Sequence, residues 1–201
     1  MTTAAAQPRR RQPPDVRREQ LLDAAERVLL QRGLAAATMA DVAEAASVAK
    51  GTVYLYYQSK DELLAALRAR YFERFAATLD DRAASRAAAL PTYAARVQRL
   101  VAAAYDFALA NHELHHVLFH QAGFGEDDAF ARARAAVAEL VEGGAAAGEF
   151  HLADPALATE FLLHALHGTL ATAVHRPRSQ RRRFVEGVSE LARRVLGASG
   201  G

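Results

Sequence analysis

Apolar residues recur along the chain at spacings of three and four, the period of one helix face, and no stretch alternates like a half-buried strand. The pattern predicts an all-α protein. Leu21, Leu22, Ala25, Val28 and Leu29 share one face of a first helix, which Gly33 closes as a C-terminal cap. Thr38 then reads as an N-cap with Asp41 three residues on, and Met39, Val42, Ala43 and Ala46 form the apolar side of a short second helix. Ser47, Val48 and Ala49 make a turn, and a third short helix follows with Val53 and Tyr57 facing inward. Ser59-Lys60-Asp61-Glu62 is a second capping box, opening a long helix through Leu63, Leu64, Leu67, Tyr71, Phe72, Phe75 and Leu79.

Past about residue 82 the pattern predicts four or five more helices. Pro91 starts one that runs to about Ala110, proline being suited to the first helical position. Asn111 caps a short helix to about Gln121, Gly123 to Asp128 form a loop, and Phe130 to Ala147 form the next helix. Asp154-Pro155 opens a helix to about His175, Arg176 to Arg183 read as a basic connector, and a last helix ends near Leu196. The expected division is a disordered basic arm over residues 1–15, a small helical head over 16–62, and a helical body over 63–201.

Hydrophobic residues make up 51% of the chain, enough to bury a core and exclude wholesale disorder. There is no Cys, which removes disulfides and thiolate chemistry and fits a cytoplasmic protein. The longest apolar run, Phe161 to Val174, is broken by His164 and His167 and is too short to cross a bilayer, so no membrane partner is expected. The N-terminal stretch lacks the apolar centre of a signal peptide. Net charge is +2, and residues 1–60 carry nine Lys and Arg against six Asp and Glu, while the rest carry sixteen against seventeen. The positive surplus lies with the head, as a nucleic-acid-binding element requires.

The two short helices around the turn suit a reader of duplex DNA. In such a reader the second helix enters the major groove while the first spans the backbone. Thr38 offers a hydroxyl and free amides to a phosphate, Gly51 lets backbone approach closely, and Thr52 offers a second hydroxyl. Tyr54 and Tyr56 present phenol oxygens to phosphates or ring edges to thymine methyls. Lys60 adds a cation beside a helix N-terminus that already attracts anions. Lys50 is the one charged side chain on the third helix and is read as a base or phosphate contact. Arg9, Arg10 and Arg11 in the arm either reach a minor groove or form a solvated tail.

From Val16 to Leu64 these residues closely resemble the DNA-binding head of the TetR family of transcriptional regulators, with Gly51-Thr52-Val53-Tyr54 and Tyr56-Tyr57-Gln58-Ser59-Lys60 as its hallmark. The resemblance implies that Thr38, Thr52, Tyr56 and Lys60 hold the DNA backbone, that Ala40, Lys50, Tyr54 and Leu55 face bases, and that Tyr57 is a buried aromatic. Ala40 and Ala49 stand where many members carry polar readers, which implies sparse base-specific hydrogen bonding and more reading of DNA shape.

One reader per chain offers few base contacts, so two-fold pairing on a palindromic site is expected. The last two helices are the candidate homodimer surface, through Leu162, Leu166, Gly168, Leu170, Val188, Leu191 and Val195. The resemblance also implies a four-helix interface built from these helices and an unidentified small-molecule effector in the body. Candidate effector contacts are Phe72, Tyr105, Phe107, His116, Phe119, His120, Phe124, Phe161 and His164, each equally readable as ordinary core or surface. His116 and His120 lie four residues apart, as a metal pair would, but no acidic partner lies at useful spacing, and neither metal nor cofactor is expected. No nucleophile–base pair, phosphate loop or paired carboxylate points to an enzyme. The alternatives to a ligand-responsive regulator, expected to be a repressor, are an architectural DNA binder and a His-based metal or haem sensor.

Overall fold

The computed structural model describes residues 13–86, 92–121 and 128–198, with the side chains of 79–86, 120–121 and 129–130 outside that description. The arm residues Arg9, Arg10 and Arg11, together with Pro91 and Phe124, therefore lie outside the described residues. All described elements are helical. By internal contacts the chain forms two units, residues 1–66 and 67–201.

The first unit is built on α1, Pro14–Ala36, where proline sits at a position whose N–H has no helical partner anyway. Gly33, at φ 74°, breaks the helix as its cap, and the chain continues helically only to Ala36. Leu21, Leu22, Ala25, Val28 and Leu29 are all buried. Next come α2, Met39–Ala45, and α3, Lys50–Tyr56. Thr38 and Asp41 complete a reciprocal capping box at the start of α2: the Asp41 amide donates to Thr38 Oγ1 and the Thr38 amide donates to Asp41 Oδ2.

The turn between α2 and α3 takes Ser47 into the left-handed region at φ 54°. The last carbonyls of α2, which have no helical partner, are met from α1: Gln20 Nε2 donates to Ala46 O at 2.8 Å and an Arg27 guanidinium N–H to Ala45 O at 3.1 Å. These bonds fix α2 on α1 and so set the direction of α3. Val53 is wholly buried and Tyr57, just past α3, is buried beside it in the chain, leaving the other side of α3 exposed.

Helix α4, Lys60–Arg86, begins in the first unit and continues into the second. The Glu62 amide donates to Ser59 Oγ, while the Glu62 carboxylate accepts the Gln58 amide at 2.6 Å, so the expected capping box is offset by one residue. The second unit adds α5, Tyr93–Ala110; α6, His112–His115, continuing as a π-helical segment over His116–Gln121; α7, Asp128–Ala146; α8, Pro155–Val174; and α9, Arg178–Val195. Its core holds Val97, Val101, Tyr105, Val141, Phe150, Leu162, Leu170 and Leu196.

Several boundaries differ from the sequence expectation. Thr92, not Pro91, caps α5, its Oγ1 accepting the Ala95 amide. Asn111 turns its side chain back to Phe107 O at 2.8 Å, closing α5 instead of opening α6. Asp128 belongs to α7, not to the loop before it. The basic stretch expected as a connector is helical from Arg178 on, because Pro177 sets the entry angle and Arg181 reaches back to Val174 O and Arg176 O at the end of α8.

Candidate nucleic-acid interface and body cavity

The exposed side of α3 carries the residues expected to meet DNA. Lys50, Gly51, Tyr54 and Leu55 are exposed, and so are Ala40 and Ala49. Leu55 is 83% exposed, a large apolar side chain in water at the centre of the helix, and Tyr54 beside it is 42% exposed. The Lys50 ammonium lies 5.9 Å from the centre of the Tyr54 ring, a cation–π contact across one helical turn. Thr52 and Tyr56 are half-buried, and the Arg18 guanidinium stands 5.7 Å from the Tyr56 ring.

Thr38 is exposed at the N-terminus of α2, but its hydroxyl also donates to Asp41 Oδ2 at 2.7 Å. Asp41 in turn pairs with Arg32 at 2.5 Å. The Thr38 hydroxyl and amide, with Arg32, hold the Asp41 carboxyl below the usual carboxylate range. Lys60 is engaged in a way its sequence position did not signal: its ammonium donates to the carbonyls of Leu34 and, at 2.8 Å, Ala37. An ammonium has three donors. Two of them here tie the start of α4 to the segment between α1 and α2, and one remains for another acceptor.

The effector candidates divide. A cavity of about 410 Å³ lies within the second unit, walled by α4, α5, α6 with its π-helical continuation, α7 and α8, and lined almost wholly by apolar atoms. Phe72, Tyr105, Phe107 and Phe119 line it. His116, Phe161 and His164 do not: all three are exposed, because the wide π-helical turn and the register of α8 carry them to the outer side. The His120 side chain and Phe124 lie outside the described residues. Sequence reasoning missed Tyr71, Phe75, His115 and His167, which also line the cavity. The four-residue spacings of Tyr71 with Phe75 and His115 with Phe119 were the available signal.

Inside the cavity wall, the Tyr71 hydroxyl lies 3.0 Å from His115 Nδ1. Burial pushes the Tyr71 phenol well above its usual range, so it keeps its proton. Tyr105 is also shifted upward by burial, an effect the Thr169 hydroxyl opposes. Its own hydroxyl meets Thr169 and Leu166 O on α8. The His115 and His167 rings are 5.6 Å apart.

The candidate dimer residues divide too. Leu162 and Leu170 are buried in the subunit core and Leu166 lines the cavity, whereas Gly168, Leu191 and Val195 are exposed. Helix α8 is apolar nearly all round, so periodicity could not distinguish its inner from its outer side. The exposed large apolar residues on α8 are Leu157 and Phe161, at 66% and 55%. Among the described residues no group of three or more His, Asp or Glu could hold a metal, and no helix is long and apolar enough to cross a membrane.

The family profile "Bacterial regulatory proteins, tetR family" matches residues 21–67. An uncharacterized HTH-type transcriptional regulator of Haemophilus influenzae is 44% identical over 62 residues, 31% of this chain and 33% of that one. The chain thus matches about a third of that relative's length. Over the whole fold, the fatty acid degradation regulator FadR from Bacillus halodurans superposes with a TM-score of 0.71 at 23% identity, covering 92% of this chain and 96% of that one. FadR from Bacillus subtilis, solved in complex with stearoyl-CoA, gives 0.68 at 18% identity, covering 90% and 99%.

Proposed function

The chain belongs to the TetR family of bacterial regulatory proteins, and from that membership we propose that it is a homodimeric transcriptional repressor released from a palindromic operator by a small molecule. The observation that carries the reading is the exposed side of α3. Its buried residues are those needed to seat a short helix, while Lys50, Tyr54 and Leu55 project outward with no structural task of their own.

In this reading α3 lies in the major groove. Thr38, Thr52, Tyr56 and Lys60 grip phosphates on either side, and Gly51 permits close approach of the backbone. The spare Lys60 donor and the exposed N-terminus of α2 support the phosphate role. With Ala40 and Ala49 lacking polar groups, Leu55 and Tyr54 read thymine methyls and Lys50 reads one base edge or phosphate.

Leu157, Phe161, Leu191 and Val195, exposed on α8 and α9, support pairing of two chains through these helices. The body cavity supports an effector chamber. Its Tyr71, Phe72 and Phe75 wall belongs to α4, the helix whose first residue, Lys60, also anchors the head. An effector that binds one position of α4 better than another shifts operator affinity by that difference.

Selection of duplexes from a random pool by the full chain tests the reading. The expected product is a two-fold symmetric site with half-sites one helical turn or a multiple apart. Enrichment of no sequence would overturn it in favour of an architectural binder.

A further inference from the structure

The wall of the body cavity has an unusual division of chemistry. Tyr71, Phe72, Phe75, Phe107 and Phe119 form a connected set of rings, with Tyr71 4.9 Å from Phe107 and 5.3 Å from Phe119. Among the described residues of the lining the charged ones are Glu73 and Arg132, and both are exposed. The polar part of the inner wall is therefore the phenol of Tyr71 with the imidazoles of His115 and His167, since the Tyr105 hydroxyl is committed to α8. A π-helical segment begins directly after His115 and contributes Phe119 to the wall. Such segments are uncommon and recur at functional sites.

A charge inserted among these rings loses its water and meets no opposite charge, which is heavily unfavourable. Aromatic faces alone attract a cation. Two imidazoles in the same wall, which take up protons themselves, oppose one. A neutral hydroxyl or carbonyl, by contrast, finds partners in imidazoles that donate through one nitrogen and accept through the other. Resting on the reading of the body as an effector chamber, we propose that the cavity takes a neutral, mainly apolar molecule with one hydrogen-bonding group, seated against His115 and His167.

The test is calorimetric titration of the full chain with 1-decanol, 2-naphthol, 1-chlorodecane, decanoate and decyltrimethylammonium, each below any micellar concentration. The expected result is one site per chain for a neutral alcohol, about tenfold or more tighter than for either ion. The two alcohols separate an extended from a planar occupant, and binding of either supports the proposal. Equal or tighter binding of an ion, or binding of neither alcohol, overturns it.

His167→Leu should weaken the alcohol about fivefold and leave 1-chlorodecane unchanged. His164→Leu, exposed on the same helix outside the cavity, should change neither. Equal weakening of both ligands by His167→Leu would remove the hydrogen-bonding part of the proposal. Operator affinity measured alongside keeps the two claims apart. An alcohol that binds without altering DNA affinity leaves the ligand class standing and sinks the regulatory reading.

Discussion

Truncation of Leu55 to alanine separates recognition from folding more cleanly than any other change in this protein. In the free chain the side chain is 83% exposed, so its removal forfeits little packing, and alanine is at least as good a helix former. Stability should stay within about 0.5 kcal/mol of the parent. On DNA the same side chain would be covered. Leucine to alanine removes three carbon groups, each contributing about 0.8 kcal/mol when fully buried, so half coverage gives about 1.2 kcal/mol, or about eightfold in affinity per head. Two heads on one operator square that factor. No charge changes, so the dependence of affinity on salt should keep its slope. Fluorescence anisotropy on the selected operator at several salt concentrations, with thermal unfolding of both proteins, provides the readout. Replacing the contacted thymine by uracil should weaken the parent about fourfold per methyl and the variant much less. Unchanged affinity, or a drop in stability that matches the drop in affinity, refutes the reasoning.

Lys60→Ala should both lower head stability, by freeing the Leu34 and Ala37 carbonyls, and reduce the salt slope by about one unit per head; urea unfolding and a salt titration report the two effects separately. Gly144→Ala would place a methyl 2.2 Å from the Phe150 ring in the body core, and should destabilise by about 1–3 kcal/mol in thermal unfolding. Phe161→Glu should shift the chain from dimer to monomer in sedimentation without affecting the cavity it does not line. Arg193 and Arg194 hold the Glu190 carboxylate down to about 2 from an ordinary 4.5. Its charged form is therefore favoured by folding, and its contribution is complete above pH 4.5 and lost as pH falls toward 2. Urea midpoints of Glu190→Gln should fall less steeply with acid over that window than those of the parent.

The head was legible because each of its devices is local. A cap, a turn and a seven-residue helix are specified by neighbours a few positions apart, and Thr38, Asp41, Val53 and Tyr57 behave as their spacing implies. Lys60 was half legible: its place at a helix start was evident, but its bonds to carbonyls more than twenty positions earlier depend on how α1 ends. The body was harder. Helix α8 is apolar on most sides, so Leu162 and Phe161 look alike in sequence and differ only once neighbouring helices choose a side. The π-helical turn after His115 changed which histidine faces inward, and period 3.6 reasoning does not anticipate a wider turn. Asn111 shows the ambiguity of a residue that can close one helix or open the next.

The central claim is that α3 discriminates among duplex sequences. It is tested most directly by the ratio of affinities for the selected site and for a scrambled duplex of equal length, at one fixed near-physiological salt concentration. The account predicts a ratio of about a thousandfold or more, lost when Tyr54 and Leu55 are both replaced by alanine. A ratio near one, unaffected by those replacements, would contradict it.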